Sequence, residues 1–311
     1  MTEKAERIRQ DVQDLMKAGD LSQTAVAKAA GISPAALNQW LKEKYQGDVE
    51  AVAATMEKWL AAHQTRTENG KRMPDAPEYV DTPTSQKVMA ALGYAQMAGD
   101  VAIIYGGAGL GKTRTLRHYA NSHNNVWLAT MTPAFRTAVS VMTEVSHALG
   151  IREFHGRAPS LHRAITQRLE GAYGLLIIDE AQHVALSGLD QLRSIHDATG
   201  VGLALVGNET VYGRMTGGSM APYLDRLFSR IGKRVHIKRP YKDDITNLAA
   251  AWGISDAERL GPLRAIASKP GALRIMTKVL RLAGLYAAGR EEDITEQDIQ
   301  HAWKELGGNG D

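Results

Sequence analysis

Eight residues rich in glycine, 106–113, have the spacing G-x-x-x-x-G-K-[ST]. The apolar residues 101–105 before them predict a buried strand, and residues 114–121 after them predict a helix. In this context glycines let backbone N–H groups close around phosphate oxygens, and the start of a helix favours a bound anion. We therefore expect the phosphates of ATP to bind to Gly106, Gly107, Gly109, Gly111, Lys112 and Thr113. Lys112 would reach the β- and γ-phosphates, and Thr113 would bind Mg²⁺.

Two acidic residues follow a second apolar run. Residues 175–178 predict a buried strand, and Asp179 and Glu180 stand at its carboxyl end. Asp179 would hold Mg²⁺ through its water shell, and Glu180 would orient and polarise the attacking water as a base. The alternative, two acids that cap the next helix, is less consistent with a phosphate-binding loop in the same chain.

Three more polar residues are candidates for the same chemistry. Asn208 follows another apolar run, and its amide would hold the γ-phosphate or the attacking water from the side. Arg230 would act as an arginine that projects into a neighbouring copy, with Arg226 as the competing choice. Arg274, after the residues Pro270 and Gly271, would sense the γ-phosphate. The alternatives are a turn asparagine and arginines on solvated faces.

The elements that position these residues alternate between strands and helices from about residue 84. This pattern predicts an α/β core with a parallel five-stranded sheet and helices on both faces. The predicted strands are 101–105, 125–130, 175–178, 202–206 and 234–238, with helices at 133–149, up to about 170, at 181–198 and at 222–231. Helical periodicity returns from residue 241 and predicts a small helical lid.

The N-terminal segment predicts an all-helical domain with helices at 3–18, 21–30, 34–42 and 49–62. The middle pair has a helix-turn-helix pattern, in which Gly31 ends the first helix and Ser33 caps the second. The second helix would present Asn38, Gln39 and Lys42 to DNA. The alternative is a protein-interaction domain. The predicted domains are therefore 1–64 (helix-turn-helix), 65–83 (linker), 84–240 (ATPase core) and 241–311 (lid).

Composition limits the class of protein. The chain has 311 residues, 44% of them hydrophobic, and no cysteine, which excludes disulfides and cysteine nucleophiles. It has no apolar run long enough to cross a membrane and no apolar leader at its N-terminus, so we expect a cytoplasmic protein with no membrane partner. Residues 81–240 carry 17 Lys and Arg against 11 Asp and Glu, a balance that suggests an anionic partner such as nucleic acid.

The ordered motifs around Lys112, Asp179, Asn208, Arg230 and Arg274 resemble those of AAA+ ATPases. The whole chain, from the helix-turn-helix pattern to the last helices, is similar to the phage transposition B family, whose members activate target DNA. This resemblance implies ATP-dependent, sequence-tolerant binding of double-stranded DNA by a helical filament of the protein. It also implies delivery of DNA to a DDE transposase, stimulation of ATP hydrolysis by that transposase, and a part in target-site selection and immunity.

Within such a filament, Arg136, Arg152 and Arg157 are the candidates for phosphate contacts, with Lys233 and Arg234 as an alternative. Two other functions are consistent with the residues. A helicase loader would share the ATPase core, and a transcription regulator would combine the helix-turn-helix with a nucleotide switch and bind a palindromic site.

Overall fold

The computed structural model describes residues 3–18, 21–72, 76–135, 137–151, 158–216, 226–227 and 229–308. The chain forms two compact units, Met1–Asp75 and Ala76–Asp311. Among the described residues, none of the helices combines the length and the apolar character needed to cross a membrane.

The first unit contains four helices, α1 (Glu3–Ala18), α2 (Gln23–Ala30), α3 (Pro34–Leu41) and α4 (Val49–Arg72). Ser33 caps α3 by accepting a hydrogen bond from the Ala36 N–H at 3.1 Å, as the sequence predicts. Gly31 ends α2 in the left-handed region, with φ of 74°. Leu37 and Trp40 are fully buried in the core of this unit. The last helix, α4, continues beyond the predicted end at Ala62 into the segment predicted as a linker.

The second unit is built on a parallel sheet of five strands in the order β2-β3-β4-β1-β5. The strands are β1 (Val101–Gly106), β2 (Val126–Thr130), β3 (Leu175–Asp179), β4 (Gly202–Gly207) and β5 (Ile231–Ile237). Every residue of β1, β3 and β4 is buried, because helices cover both faces of the sheet. The predicted α/β sheet is confirmed, and the carboxyl ends of β3, β4 and β1 lie side by side.

Helices cover the two faces of the sheet. The helices of this region are α5 (Pro83–Ala98), α6 (Lys112–Ser122), α7 (Ala138–Ala148), α8 (Ala158–Leu169), α9 (Leu186–Thr199) and α10 (Glu209–Thr216). Leu92 and Leu116 pack on one face of the sheet, and Val141, Ile165 and Leu192 pack on the other.

Two helices differ from their prediction. A single 3₁₀ turn, Ala181–His183, replaces the start of the helix predicted at 181–198, and α9 begins only at Leu186. Thr137 caps α7, with a reciprocal hydrogen bond to Ser140, and therefore the helix starts after the predicted Pro133. Of the helix predicted at 222–231, residues 222–225 and 228 lie outside the described residues. Its last residue, Ile231, instead begins β5, which therefore starts three residues before the predicted 234.

The C-terminal part of the second unit is helical, as predicted: α11 (Lys242–Ala250), α12 (Ala257–Ala267), α13 (Ala272–Arg290) and α14 (Glu296–Glu305). These lid helices share an apolar core of their own around Leu263, Met276 and Leu280. Asp244, with no exposed surface, joins the lid to α5. Its carboxylate accepts hydrogen bonds from the Thr84 backbone N–H at 2.8 Å and the Thr84 hydroxyl at 2.6 Å.

Candidate nucleotide site

A cavity of about 380 Å³ lies at the carboxyl ends of β1, β3 and β4, between the core and α13. Its size is within the usual range of small-molecule sites. The glycine loop lines it, together with Glu180, Asn208 and Arg274, which the sequence predicts as site residues. The structure therefore brings residues 106, 108–113, 180, 208 and 274 together around one cavity, whereas the predicted Gly107 is not among the described residues that line it.

One glycine of the loop has a backbone conformation and surroundings that no residue with a side chain would fit without strain. Gly109 has φ of +78°, and a Cβ there would overlap the carbonyl oxygen of Gly271 at the start of α13. The backbone N–H of Arg274 donates to the carbonyl of Gly109 at 3.2 Å. The phosphate loop and the lid are thus in direct backbone contact.

Lys112 lies across the loop that precedes it. Its Nζ donates to the carbonyl oxygens of Gly106 at 2.9 Å and Gly107 at 2.7 Å. Burial lowers the pKa of the Lys112 ammonium, while the charges of Asp179 and Glu180 act in the opposite direction. Burial thus destabilises the charged form of Lys112, and an anion bound in the cavity would stabilise it again.

The side chains of Thr113 and Asp179 meet at the start of α6. The Thr113 hydroxyl donates to Oδ2 of Asp179 at 2.8 Å, and the backbone N–H of Glu180 donates to Oδ1 at 2.9 Å. Asp179 is 2% exposed, and burial raises the pKa of its carboxyl. A hydroxyl and a carboxylate side by side are hard oxygen ligands, so these two residues fit Mg²⁺, which binds few protein ligands besides phosphate and water.

Glu180 stands just beyond β3 with φ of 55°, in the left-handed region that residues with a side chain seldom adopt. Its carboxylate accepts a hydrogen bond from the side chain of Gln182. The carbonyl oxygen of that same amide accepts a hydrogen bond from the Asn208 backbone N–H at 3.3 Å. The side chain of Asn208 caps α10 by accepting from the Thr210 N–H at 2.9 Å.

Arg230 lies apart from this cavity and is not among the described residues that line it. Its guanidinium forms two hydrogen bonds with Asp197 on α9, at 3.0 and 3.2 Å, and a third with the carbonyl of Arg226 at 2.8 Å. Arg226 is exposed.

Sequence reasoning missed several residues of the cavity. Gln182, Lys278 and Arg281 line it, and so do Tyr79 and Val80 from the segment predicted as a linker. Tyr79 stacks on the ring of His118, with centroids 3.7 Å apart. The sequence held one signal for two of these residues: 278 and 281 have the spacing that places them on the same helix face as the predicted Arg274.

The residues predicted to bind DNA are placed as follows. On α3, Gln39 is exposed and Asn38 is half-buried, and Lys42, the residue just after the end of α3, is exposed. Arg136, Arg152 and Arg157 lie outside the described residues.

Two family models match the chain. The first, described as Mu B transposition protein, C terminal, matches residues 229–306, and the second, an AAA domain, matches residues 96–215. The ATP-dependent target DNA activator B of Escherichia phage Mu is 36% identical over 96% of this chain and 95% of its own length. The chain belongs to the phage Mu transposition protein B family. The Mu-like prophage FluMu DNA transposition protein B of Haemophilus influenzae is 35% identical over 83% of this chain and 90% of its own length.

This membership confirms the resemblance stated from the motifs, and the AAA domain confirms the predicted ATPase core. Two solved structures are also similar. Domain III of the Thermotoga maritima replication initiation protein DnaA covers 73% of this transposition B chain and 94% of its own, at 16% identity and TM-score 0.48. The structure of Drosophila ORC bound to DNA covers 75% of this chain and 63% of its own chain, at 15% identity and TM-score 0.49.

Proposed function

We propose that this protein binds ATP with Mg²⁺ in the cavity between the glycine loop and α13, hydrolyses it, and activates target DNA for transposition. One observation carries the proposal: the loop, Asp179, Glu180, Asn208 and Arg274 converge on one edge of the sheet. The Mu relative, named as an ATP-dependent target DNA activator, aligns with almost the whole chain.

Each residue at the cavity has a separate task in this proposal. The backbone N–H groups of the loop and Lys112 bind the phosphates, and Thr113 and Asp179 hold Mg²⁺. The metal, when bound, neutralises charge on the phosphate oxygens. Glu180 accepts the proton of the attacking water, and Asn208 orients that water. Arg274 reports the γ-phosphate to the lid, because its backbone already contacts Gly109.

Arg230 acts on a neighbouring copy of the chain. Its guanidinium does not line its own cavity, and hydrogen bonds to Asp197 on α9, to the Arg226 carbonyl and to the Ser229 hydroxyl hold it in place. Arginine is suited to stabilise the charge spread over a transferring phosphoryl group. Arg226 is the competing residue for this role. A shared site of this kind links ATP binding to self-association into a helical filament.

Double-stranded DNA is the proposed anionic partner. Arg136, Arg152 and Arg157 would contact phosphates within the filament, and Asn38, Gln39 and Lys42 would face DNA from the first unit. Phosphate contacts make binding tolerant of sequence and sensitive to salt. We extend the proposal to delivery of this DNA to a DDE transposase in the cytoplasm, and to target-site selection and immunity.

The test measures binding of a random-sequence duplex by fluorescence anisotropy, over a range of salt concentrations and with and without ATP. Lys112→Ala should abolish ATP-dependent assembly, because the phosphates lose a desolvated cation. Lys304→Ala, an exposed lysine on α14, is the matched control. Undiminished assembly of Lys112→Ala would remove the nucleotide from the mechanism. Tight binding to one palindromic sequence alone would instead favour a transcription regulator.

A further inference from the structure

Among the described side chains at the cavity that the proposed mechanism does not use, one has hydrogen bonds to two parts of the site. This is Gln182, the middle residue of the 3₁₀ turn between β3 and α9. Its side-chain NH₂ donates to the carboxylate of Glu180, and its side-chain oxygen accepts from the backbone N–H of Asn208 at 3.3 Å. The amide thus joins the end of β3 to the end of β4.

The two contacts determine the orientation of the Gln182 amide, that is, which partner its oxygen and its NH₂ group face. Because the Asn208 N–H can only donate, it selects the oxygen of Gln182, and the NH₂ group must then face Glu180. The last residue of β4 also leaves room for this arrangement. Gly207 has no side chain, and a Cβ at this position would overlap the Gln182 oxygen. The Gln182 amide therefore occupies a slot shaped by its neighbours.

Glu180 needs such a partner. It lies beyond the end of the strand, with its backbone in the left-handed region and its side chain only half-buried. Among the described residues, Gln182 supplies the one side-chain hydrogen bond that its carboxylate accepts. A carboxylate on a flexible stem loses much of its effect as a base when it is not held in one geometry.

We infer that Gln182 is a positioning residue, which holds the carboxylate of Glu180 toward the cavity and couples it to the strand end that carries Asn208. The inference rests on the proposed function, since it assumes that Glu180 is the base. Glutamine suits this position because it combines a donor for the carboxylate with an acceptor for the backbone N–H. Glutamate would keep only the acceptor, and leucine would keep neither.

The experiment measures single-turnover hydrolysis of Mg²⁺-ATP by the full chain, and binding of a fluorescent methylanthraniloyl-ATP. The variants are Gln182→Leu and Gln182→Glu. Gln300→Leu is the matched control, because Gln300 also donates to a carboxylate, that of Glu296 at 2.8 Å, but on the exposed surface of α14. We expect both Gln182 variants to hydrolyse ATP about 10- to 100-fold more slowly, the effect of losing a hydrogen bond to a charged group. Nucleotide affinity should change less than about threefold, and the control should be unchanged.

A double variant separates positioning from a general structural effect. If Gln182 acts through Glu180, then adding Gln182→Leu to Glu180→Gln should slow the reaction no further. A multiplied loss in the double variant, a normal or faster rate in either single variant, or a loss of affinity that parallels the loss of rate would overturn the inference. If Gln182→Leu does not fold, the hydrolysis rate of Gln182→Glu tests the inference, because this variant keeps an acceptor for the Asn208 N–H and loses only the donor to Glu180. A wild-type rate for Glu180→Gln alone would refute the proposed function of Glu180 instead.

Discussion

Substitution of Gly109 by alanine tests the contact between the phosphate loop and the lid. The added Cβ would overlap the carbonyl oxygen of Gly271 and lie 3.2 Å from the Cβ of Arg274. Gly111 is the matched control, because it belongs to the same loop, has a similar positive φ of 86°, and has nothing within 4 Å of the added Cβ. Both variants share the strain of alanine in the left-handed region, about 1–2 kcal/mol, so this strain cancels when the two are compared.

The remaining difference comes from the lid. Overlap in a packed region costs about 1–3 kcal/mol, and the hydrogen bond from the Arg274 N–H to the Gly109 carbonyl contributes about 1 kcal/mol. We therefore expect the free energy of unfolding of Gly109→Ala to be about 3 kcal/mol lower than that of Gly111→Ala. With a urea m-value of about 3 kcal/mol/M, the midpoint of unfolding falls by about 1 M.

The assay is urea denaturation of the nucleotide-free protein, followed by far-UV circular dichroism. The unit Met1–Asp75 is the same in both variants, so its unfolding does not affect the comparison. Equal midpoints for the two variants would show that Gly109 is not packed against the start of α13, and the reasoning about Gly109 would be wrong.

Three further predictions concern the site and the contact between Asp244 and Thr84. Glu180→Gln should bind ATP with normal affinity but hydrolyse it at least about 100-fold more slowly, which leaves long-lived complexes on DNA in anisotropy measurements; rapid turnover would contradict this. Arg230→Ala should lower DNA-stimulated hydrolysis by on the order of 10³-fold in a phosphate-release assay, whereas a normal rate combined with a slow Arg226→Ala would transfer the role to Arg226. Asp244→Asn should lower the free energy of unfolding by about 1–3 kcal/mol in urea, because an amide NH₂ would then face the N–H or hydroxyl of Thr84; an unchanged midpoint would argue against this buried contact.

Features that depend on local sequence were predicted well. The apolar runs of β1, β3 and β4 predict strands because both faces of the sheet are covered. The pair Ser33-Pro34 marks the start of α3, because a capping hydroxyl and a proline suit the first turn of a helix. The glycine loop follows β1 directly and Glu180 follows β3 directly, so the sequence alone predicted that both would lie at the same cavity.

Features that depend on contacts between distant residues were not predictable. Gln182 contacts Asn208 only because β3 and β4 are neighbours in the sheet, and no spacing in the chain indicates this. The Arg230 pair with Asp197 likewise joins residues that are 33 positions apart. The helix predicted at 181–198 was wrong in its first turn, since the left-handed backbone of Glu180 redirects the chain before α9.

The turn that starts α13 contains two successive residues with positive φ, Gly271 at 95° and Ala272 at 42°. The helix beyond it has 19 residues and is therefore about 28 Å long. A tilt of only about 10° at this turn, where Gly109 touches the helix, would swing the opposite end near Arg290 through about 5 Å. In this way α13 would act as a lever arm, magnifying a sub-ångström adjustment of the loop into a displacement large enough for a neighbouring molecule to detect.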